Sequence, residues 1–119
     1  MTDCSSFVAG SSKFTPAKNP LDLSVTDFNR DMAINTNSVL EAAKQAVLSF
    51  DQLPSSASRT FIFTGNILNT EPILPMLSMG MGKAATAHLI FNASMAYKDK
   101  GYRYEIIQIW NEIHLVDRV

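Results

Sequence analysis

The stretch "RTFIFTGN", residues 59 to 66, decides the fold class of this chain. Its centre, Thr60 to Thr64, is an uninterrupted β-prone run, and Gly65 and Asn66 close it with residue types that favour turns. A short apolar run without alternation is typical of a strand buried on both faces of a parallel sheet. Parallel strands need long crossover connections, which are usually helices.

The segment before this strand carries the strongest helix signal. Ser24 and Asp27 have the spacing of a capping box, with Asp27 in place of the usual Glu or Gln. Behind them, residues on one helical face recur in steps of three and four: Phe28, Met32, Asn35, Val39, Ala43, Ala46 and Phe50. The spacing predicts one helix of roughly seven to eight turns, ending near Leu53 and Pro54.

The segments further out complete the pattern. Residues 67 to 77 contain Pro72 and Pro75 and predict a loop, after which a second long helix runs from about Ser78 or Gly80 to Lys100, with Gly101 as its stop. A strand follows from Arg103 to Ile109, and "SSFVAG", residues 5 to 10, predicts another near the start. The last ten residues fit either an edge strand or a short helix. Alternating strands and helices predict an α/β domain over residues 1–119, with a three-stranded parallel sheet and two long helices.

Composition excludes several classes of protein. The chain has 119 residues, 46% of them apolar, which suits one domain. The net charge is −1 and the basic residues are scattered, so we expect no nucleic-acid partner. No run of apolar residues is long enough for a membrane span, and the N-terminus lacks the features of a secretory signal. Because Cys4 is the single cysteine, we expect neither an internal disulfide nor a cysteine-built metal site, and we expect a cytoplasmic location.

The glycines before Lys83 suggest two nucleotide-binding motifs, and neither fits. A phosphate-binding loop would need glycine where Leu77 stands and Ser or Thr where Ala84 stands. The looser dinucleotide pattern, Gly80-x-Gly82 with a small residue three positions on, requires a strand directly before it. Prolines interrupt that segment, so we interpret these glycines as sites of close helix packing.

Metal-binding patterns are also weak. Met76, Met79 and Met81 could form a soft site for monovalent copper, but methionines near a helix start more often fill gaps in a core or a subunit contact. His88 and His114 are isolated from other metal ligands in the sequence. We expect no metal.

Three blocks of the chain together resemble the central part of the short-chain dehydrogenase/reductase family. They are "NPLDLSVTDFNRDMAINTNSVLEAAKQAV", "RTFIFTGN" and "GKAATAHLIFNASMAYKDKGYRYE", in the family's order and spacing. The resemblance implies a partial Rossmann-like fold. It is fainter at "SSFVAG", where the family has an Asn-Ala-Gly turn that ends at a position matching Gly10.

The resemblance assigns site positions. Asn35 matches the family's helical asparagine, Lys83 matches the lysine of the Tyr-x-x-x-Lys motif, and Asn66 falls at the catalytic serine. Met79 falls at the tyrosine, and a thioether has no proton to donate. Gly10 and Lys83 are the implied cofactor-binding positions.

From these assignments we expect a protein that is catalytically inactive on its own and acts as an oligomerising or binding module. The family's glycine-rich nucleotide loop precedes the part matched here, so no cofactor is expected. The alternative is an NAD(P)-dependent oxidoreductase fragment or subunit, using NADP or NAD, whose nucleotide-binding half is supplied elsewhere. A third possibility is a small-ligand binder at the cleft near Gly10, Asn66 and Lys83. The family also implies a homo-oligomer that packs through the helices predicted at residues 25–53 and 80–99.

Overall fold

The sheet is parallel, as the uninterrupted β-prone run predicts. A computed structural model describes residues 4–9 and 13–108. Within them, β1 is Cys4–Ala9, β2 is Ser58–Gly65 and β3 is Arg103–Gln108. The strands pair in the order β1-β2-β3, both pairs parallel, which confirms the α/β class. Gly10, Ile109 and the last ten residues lie outside the described residues.

The helical region before β2 is continuous but not uniform. It consists of α1, Val25–Met32, a wider π-helical turn, Ala33–Asn37, and α2, Ser38–Asp51. Ser24 caps α1 as predicted, since its Oγ accepts a hydrogen bond from the Asp27 N–H at 3.1 Å. The prediction of one long helix ending near Leu53 is confirmed, since the helical region ends at Asp51. Its middle turn is π-helical, which the sequence did not predict, and there the Asn35 side chain bonds to Lys13.

The second long helix, α3, spans Leu77–Ala96. The α-helix thus ends before the predicted Lys100, and a short 3-10 turn, Lys98–Lys100, follows. Gly101, the predicted stop, ends this turn in the left-handed conformation, with φ 75°. The segment between β2 and α3 is more regular than the predicted loop, because it contains two 3-10 turns, Ile67–Asn69 and Leu74–Met76.

The core lies on one face of the sheet. Phe61 and Phe63 of β2 and Tyr104 and Ile106 of β3 point to the same side and are fully buried or nearly so. Both α2 and α3 pack on that face; they contribute Val39, Ala43, Ala46, Phe50, Ala87 and Ile90 to the core. On the opposite face of β2, Thr60 is buried, whereas Ile62 and Thr64 are half-buried. The prediction that β2 is buried on both faces is therefore met only in part, because the two helices cover the same side of the sheet.

Candidate functional site

Lys83 is a buried lysine at the carboxyl end of β2. Its side chain is 3% exposed. Its Nζ donates a hydrogen bond to the Thr64 carbonyl at 3.2 Å and lies 4.9 Å from the centre of the Phe63 ring. Burial lowers the pKa of Lys83, because the charged ammonium loses hydration that one carbonyl and one ring do not replace. The residue is thus placed where open α/β sheets bind ligands.

Met79 lies one helical turn before Lys83 and is also buried, at 8% exposed. Residues four apart on a helix share a face, so Met79 lies on the same face of α3 as Lys83, at the position that the resemblance assigns to the family's tyrosine. The chain has 3 tyrosines, and all lie elsewhere: Tyr97 follows the end of α3, and Tyr102 and Tyr104 lie at the start of β3. Their rings pack against one another, at the opposite end of the strands from Lys83.

The hydroxyls of Tyr102 and Tyr104 make hydrogen bonds that stabilise the fold. The Tyr104 hydroxyl donates to the Ala43 carbonyl at 3.2 Å, and burial raises its pKa to about 12. Tyr102 donates to the Asp51 carboxylate, a bond that raises the pKa of Tyr102 because it favours the protonated phenol. Neither phenol is poised to exchange protons near neutral pH.

Asn66 uses its side chain in the local turn. Its Oδ1 accepts a hydrogen bond from the Leu68 N–H at 2.9 Å and so caps the short Ile67–Asn69 turn. The side chain is half-buried. This capping is a sufficient structural reason for an asparagine at the end of β2.

Asn35 ties the helical region to the segment that follows β1. Its side chain is 1% exposed; Oδ1 accepts from the Lys13 N–H at 2.8 Å and Nδ2 donates to the Lys13 carbonyl at 2.6 Å. On its other side, a Cβ added to Gly82 would lie 2.3 Å from the Asn35 Cβ. The Thr86 Oγ1 donates to the Asn35 carbonyl at 2.8 Å. The asparagine therefore fixes α3 against the π-helical turn.

The structure contains a buried polar pair that sequence reasoning missed. Asp31 and Ser78 are both fully buried, and the Ser78 Oγ donates to Asp31 Oδ2 at 2.6 Å. Burial raises the pKa of Asp31, but hydrogen bonds from Ser78 and from Thr15, with the nearby charge of Arg30, more than offset this and hold the pKa below its usual value. The available signal was spacing, because Asp31 lies four residues before Asn35 and so shares its face.

The predicted positions converge only in part. Asn35 packs against Gly82, the residue before Lys83. Lys83 Nζ reaches the carbonyl of Thr64, near the carboxyl end of β2, and Asn66 directly follows that strand. Gly10 lies outside the described residues. In the described part of the chain, no group of three or more histidine, cysteine, aspartate or glutamate side chains is placed to hold a metal ion. None of the described helices has the length and apolar character needed to cross a membrane.

Comparison with known proteins finds one related sequence of high identity. No protein-family model matches the chain. The chain is 42% identical over 97 residues to the short-chain dehydrogenase/reductase dmxR12 of Cryptosporiopsis sp. (strain 8999). The aligned region covers 82% of this chain and 39% of that protein. The chain thus spans about two fifths of the length of this curated relative.

Solved structures agree at the level of the fold. The structure of NADH-dependent reductase A1-R′ complexed with NAD superposes with a TM-score of 0.75 and 18% identity, covering 89% of this chain and 45% of that one. The structure of ElxO with NADP bound superposes with a TM-score of 0.79 and 17% identity, covering 88% of this chain and 41% of that one.

Fold and site together define a Rossmann-like α/β protein. The sequence match to dmxR12 is more specific than the fold, and it confirms the predicted resemblance. The chain corresponds to one part of a short-chain dehydrogenase/reductase.

Proposed function

We propose that this chain is a short-chain dehydrogenase/reductase-like protein that does not transfer hydride on its own and acts as a binding and assembly module. The observation that carries the proposal is Met79, buried one turn before Lys83; the resemblance assigns this position to the proton donor. A positioned acid or base contributes about a hundred- to ten-thousand-fold in rate, and a thioether cannot replace it. The other phenols of this sequence are held at the opposite end of the strands.

Of the two neighbouring positions on α3, Lys83 suits a bound nicotinamide nucleotide and Met79 does not suit its reaction. A1-R′ and ElxO are solved with NAD and NADP, and by resemblance the buried amine of Lys83 would hold the ribose hydroxyls of such a nucleotide. Met79 could not supply a proton for the reaction, because a thioether has none to donate. The lysine alone is therefore not enough to make this chain a reductase.

The second candidate is an oxidoreductase part that works only with a nucleotide-binding half supplied elsewhere. It is favoured by Lys83 and Asn35, which the resemblance assigns to two of the family's site positions. Titration of the chain with NADH and NADPH, followed by the cofactor's fluorescence, separates the two. The leading proposal predicts no saturable binding up to millimolar cofactor; micromolar binding would favour the second candidate.

Assembly is supported by the apolar surface of the two long helices. Leu40 and Leu48 of α2 and Met81, Phe91 and Met95 of α3 are exposed large apolar side chains, the last at 81%. Between the helices lies a groove of about 360 Å³ whose walls include Leu40, Val47, Leu89 and Ala93. Exposed apolar side chains near an apolar groove are typical of interaction sites. A second copy packing the same helices would cover it.

A further inference from the structure

A cavity beside α3 is separate from the site positions that the resemblance assigns. Its volume is about 330 Å³, which lies in the range of about 300–1,000 Å³ that is typical of small-molecule sites. Its walls come from the first half of α3 and from the segment between β2 and α3. Among the described residues, neither Asn66 nor Met79 nor Lys83 lines it.

Small residues on α3 leave this space open. Gly80 and Ala84 lie four residues apart, so they share one face of the helix, and both line the cavity. A Cβ built on Gly80 would lie 3.9 Å from the Leu68 Cδ2, an ordinary van der Waals contact. Met79 and Lys83 each come one residue earlier, which places them about 100° round the helix. The cavity is therefore on a different face of α3 from the lysine.

The rim of the cavity is apolar and reaches solvent. Three of its lining residues, Ile73, Leu74 and Met81, are 43%, 65% and 46% exposed. Deeper in the cavity, Leu68 is buried and Leu77 is half-buried. A molecule can thus enter from solvent and cover apolar surface that water now contacts. Burying that surface favours a ligand with an aromatic or alkyl body.

The charge at the cavity has one sign. Glu71 is the single charged residue among the described residues that line it, and the polar side chains of Asn69 and Thr70 are uncharged. Glu71 is exposed and takes part in none of the ion pairs between described residues. A cationic group at this carboxylate would gain a partner, whereas an anionic group would be repelled.

We propose that this cavity binds small primary amines that have an apolar body, of the arylalkylamine class. The body of the ligand packs against Leu68 and Leu77, and its ammonium group lies at the Glu71 carboxylate. The occupant is a small cation because the walls are apolar and the one charge at the cavity is negative. Binding makes and breaks no covalent bond and needs no nucleotide.

The test titrates the full chain with phenethylamine, without any nicotinamide nucleotide, and follows binding by saturation-transfer NMR of the ligand. The neutral 2-phenylethanol and the anionic phenylacetate carry the same ring and serve as matched compounds. We expect saturable binding that is tightest for the amine, weaker for the alcohol and weakest for the acid. The absence of saturable phenethylamine binding at millimolar concentration, or equal binding of the three compounds, would overturn the proposal.

Variants locate the binding and separate charge from shape. Glu71→Gln should weaken phenethylamine binding about two- to fivefold, as expected for an exposed ion pair, and leave 2-phenylethanol unchanged. Ala84→Phe places a ring in the cavity and should abolish the binding of both. Ala96→Phe is the matched control, since Ala96 is also an exposed alanine of α3 but lies outside the cavity.

Two outcomes with these variants would contradict the proposal. Full binding to Ala84→Phe would show that the amine binds elsewhere, and an equal loss in Ala96→Phe would show that the ring acts through the helix and not through the cavity. Because the titrations contain no dinucleotide, failure of amine binding leaves the proposed absence of hydride transfer intact. Hydride transfer by the chain would likewise leave the amine site intact.

Discussion

At the scale of single residues, Gly82 marks the closest approach between α3 and the π-helical turn. A side chain there would meet the Asn35 Cβ at 2.3 Å, and Asn35 is held on its other side by Lys13. The sequence indicated close helix packing at the glycines of this segment, but it could not say which glycine. At Gly80, a Cβ would meet the Leu68 Cδ2 at an ordinary 3.9 Å.

The two glycines therefore predict opposite outcomes for the same substitution. Gly82→Ala should destabilise the fold by about 1–3 kcal/mol, because overpacking forces backbone or rotamer shifts. Gly80→Ala should stabilise it by up to about 1 kcal/mol, since alanine is the better residue in a helix interior. Urea unfolding of both variants measures the free energies. Equal effects of the two would contradict the described helix crossing.

Asp31 predicts a pH dependence of stability. Its folded-state pKa lies below the unfolded value, so ionised Asp31 stabilises the fold above the ordinary aspartate pKa of about 3.9, and this contribution is lost as the pH falls through the folded pKa. The free energy of unfolding of the parent chain should exceed that of Asp31→Asn near pH 6, and the gap should narrow as the pH falls below about 4. A gap that stays constant with pH would show that the carboxylate is not stabilised by its partners.

Residue spacing predicted the positions of Lys83 and Met79 on one face, because four residues make about one turn. It could not predict the Asp31–Ser78 bond, since an aspartate in an amphipathic helix usually faces water. Only the crossing of α1 and α3 brings the two together, and that crossing depends on distant parts of the chain.

At the scale of elements, the helix starts and stops were the most predictable features. Ser24 at the start of α1 and Gly101 after α3 act by local backbone chemistry, which a sequence carries directly. The widened turn at Ala33–Asn37 was not predictable, because it depends on hydrogen bonds between Asn35 and Lys13, far apart in the chain. The weaker burial of Ile62 and Thr64 was likewise not predictable, because it depends on both helices packing on the other face of the sheet.

The capping bond at Ser24 gives a prediction at this scale. Ser24→Ala removes the acceptor of the Asp27 N–H and should cost about 1 kcal/mol, whereas Ser24→Asp keeps an oxygen there and should be nearly neutral. Thermal unfolding followed by circular dichroism compares the two. A loss of the same size in both would mean that the hydroxyl acts through another contact.

At the scale of the whole molecule, the exposed apolar side chains of α2 and α3 predict self-association. Multi-angle light scattering on the parent chain should give a mass of at least twice 13.1 kDa at micromolar concentration. Met95→Glu should shift the mass to that of a monomer, because it places a charge in the proposed contact. Leu21→Glu is the matched control, an exposed apolar residue outside these helices, and should leave the mass unchanged. A monomeric parent chain would contradict the assembly role.

We propose that Met79, one turn before Lys83, leaves this chain without the proton donor that hydride transfer needs. The most direct measurement is NADPH and NADH oxidation by the full chain against a panel of aldehydes and ketones, with Lys83→Met as the control. We expect no carbonyl-dependent oxidation above the cofactor blank for either protein. Turnover by the parent chain that disappears in Lys83→Met would contradict it.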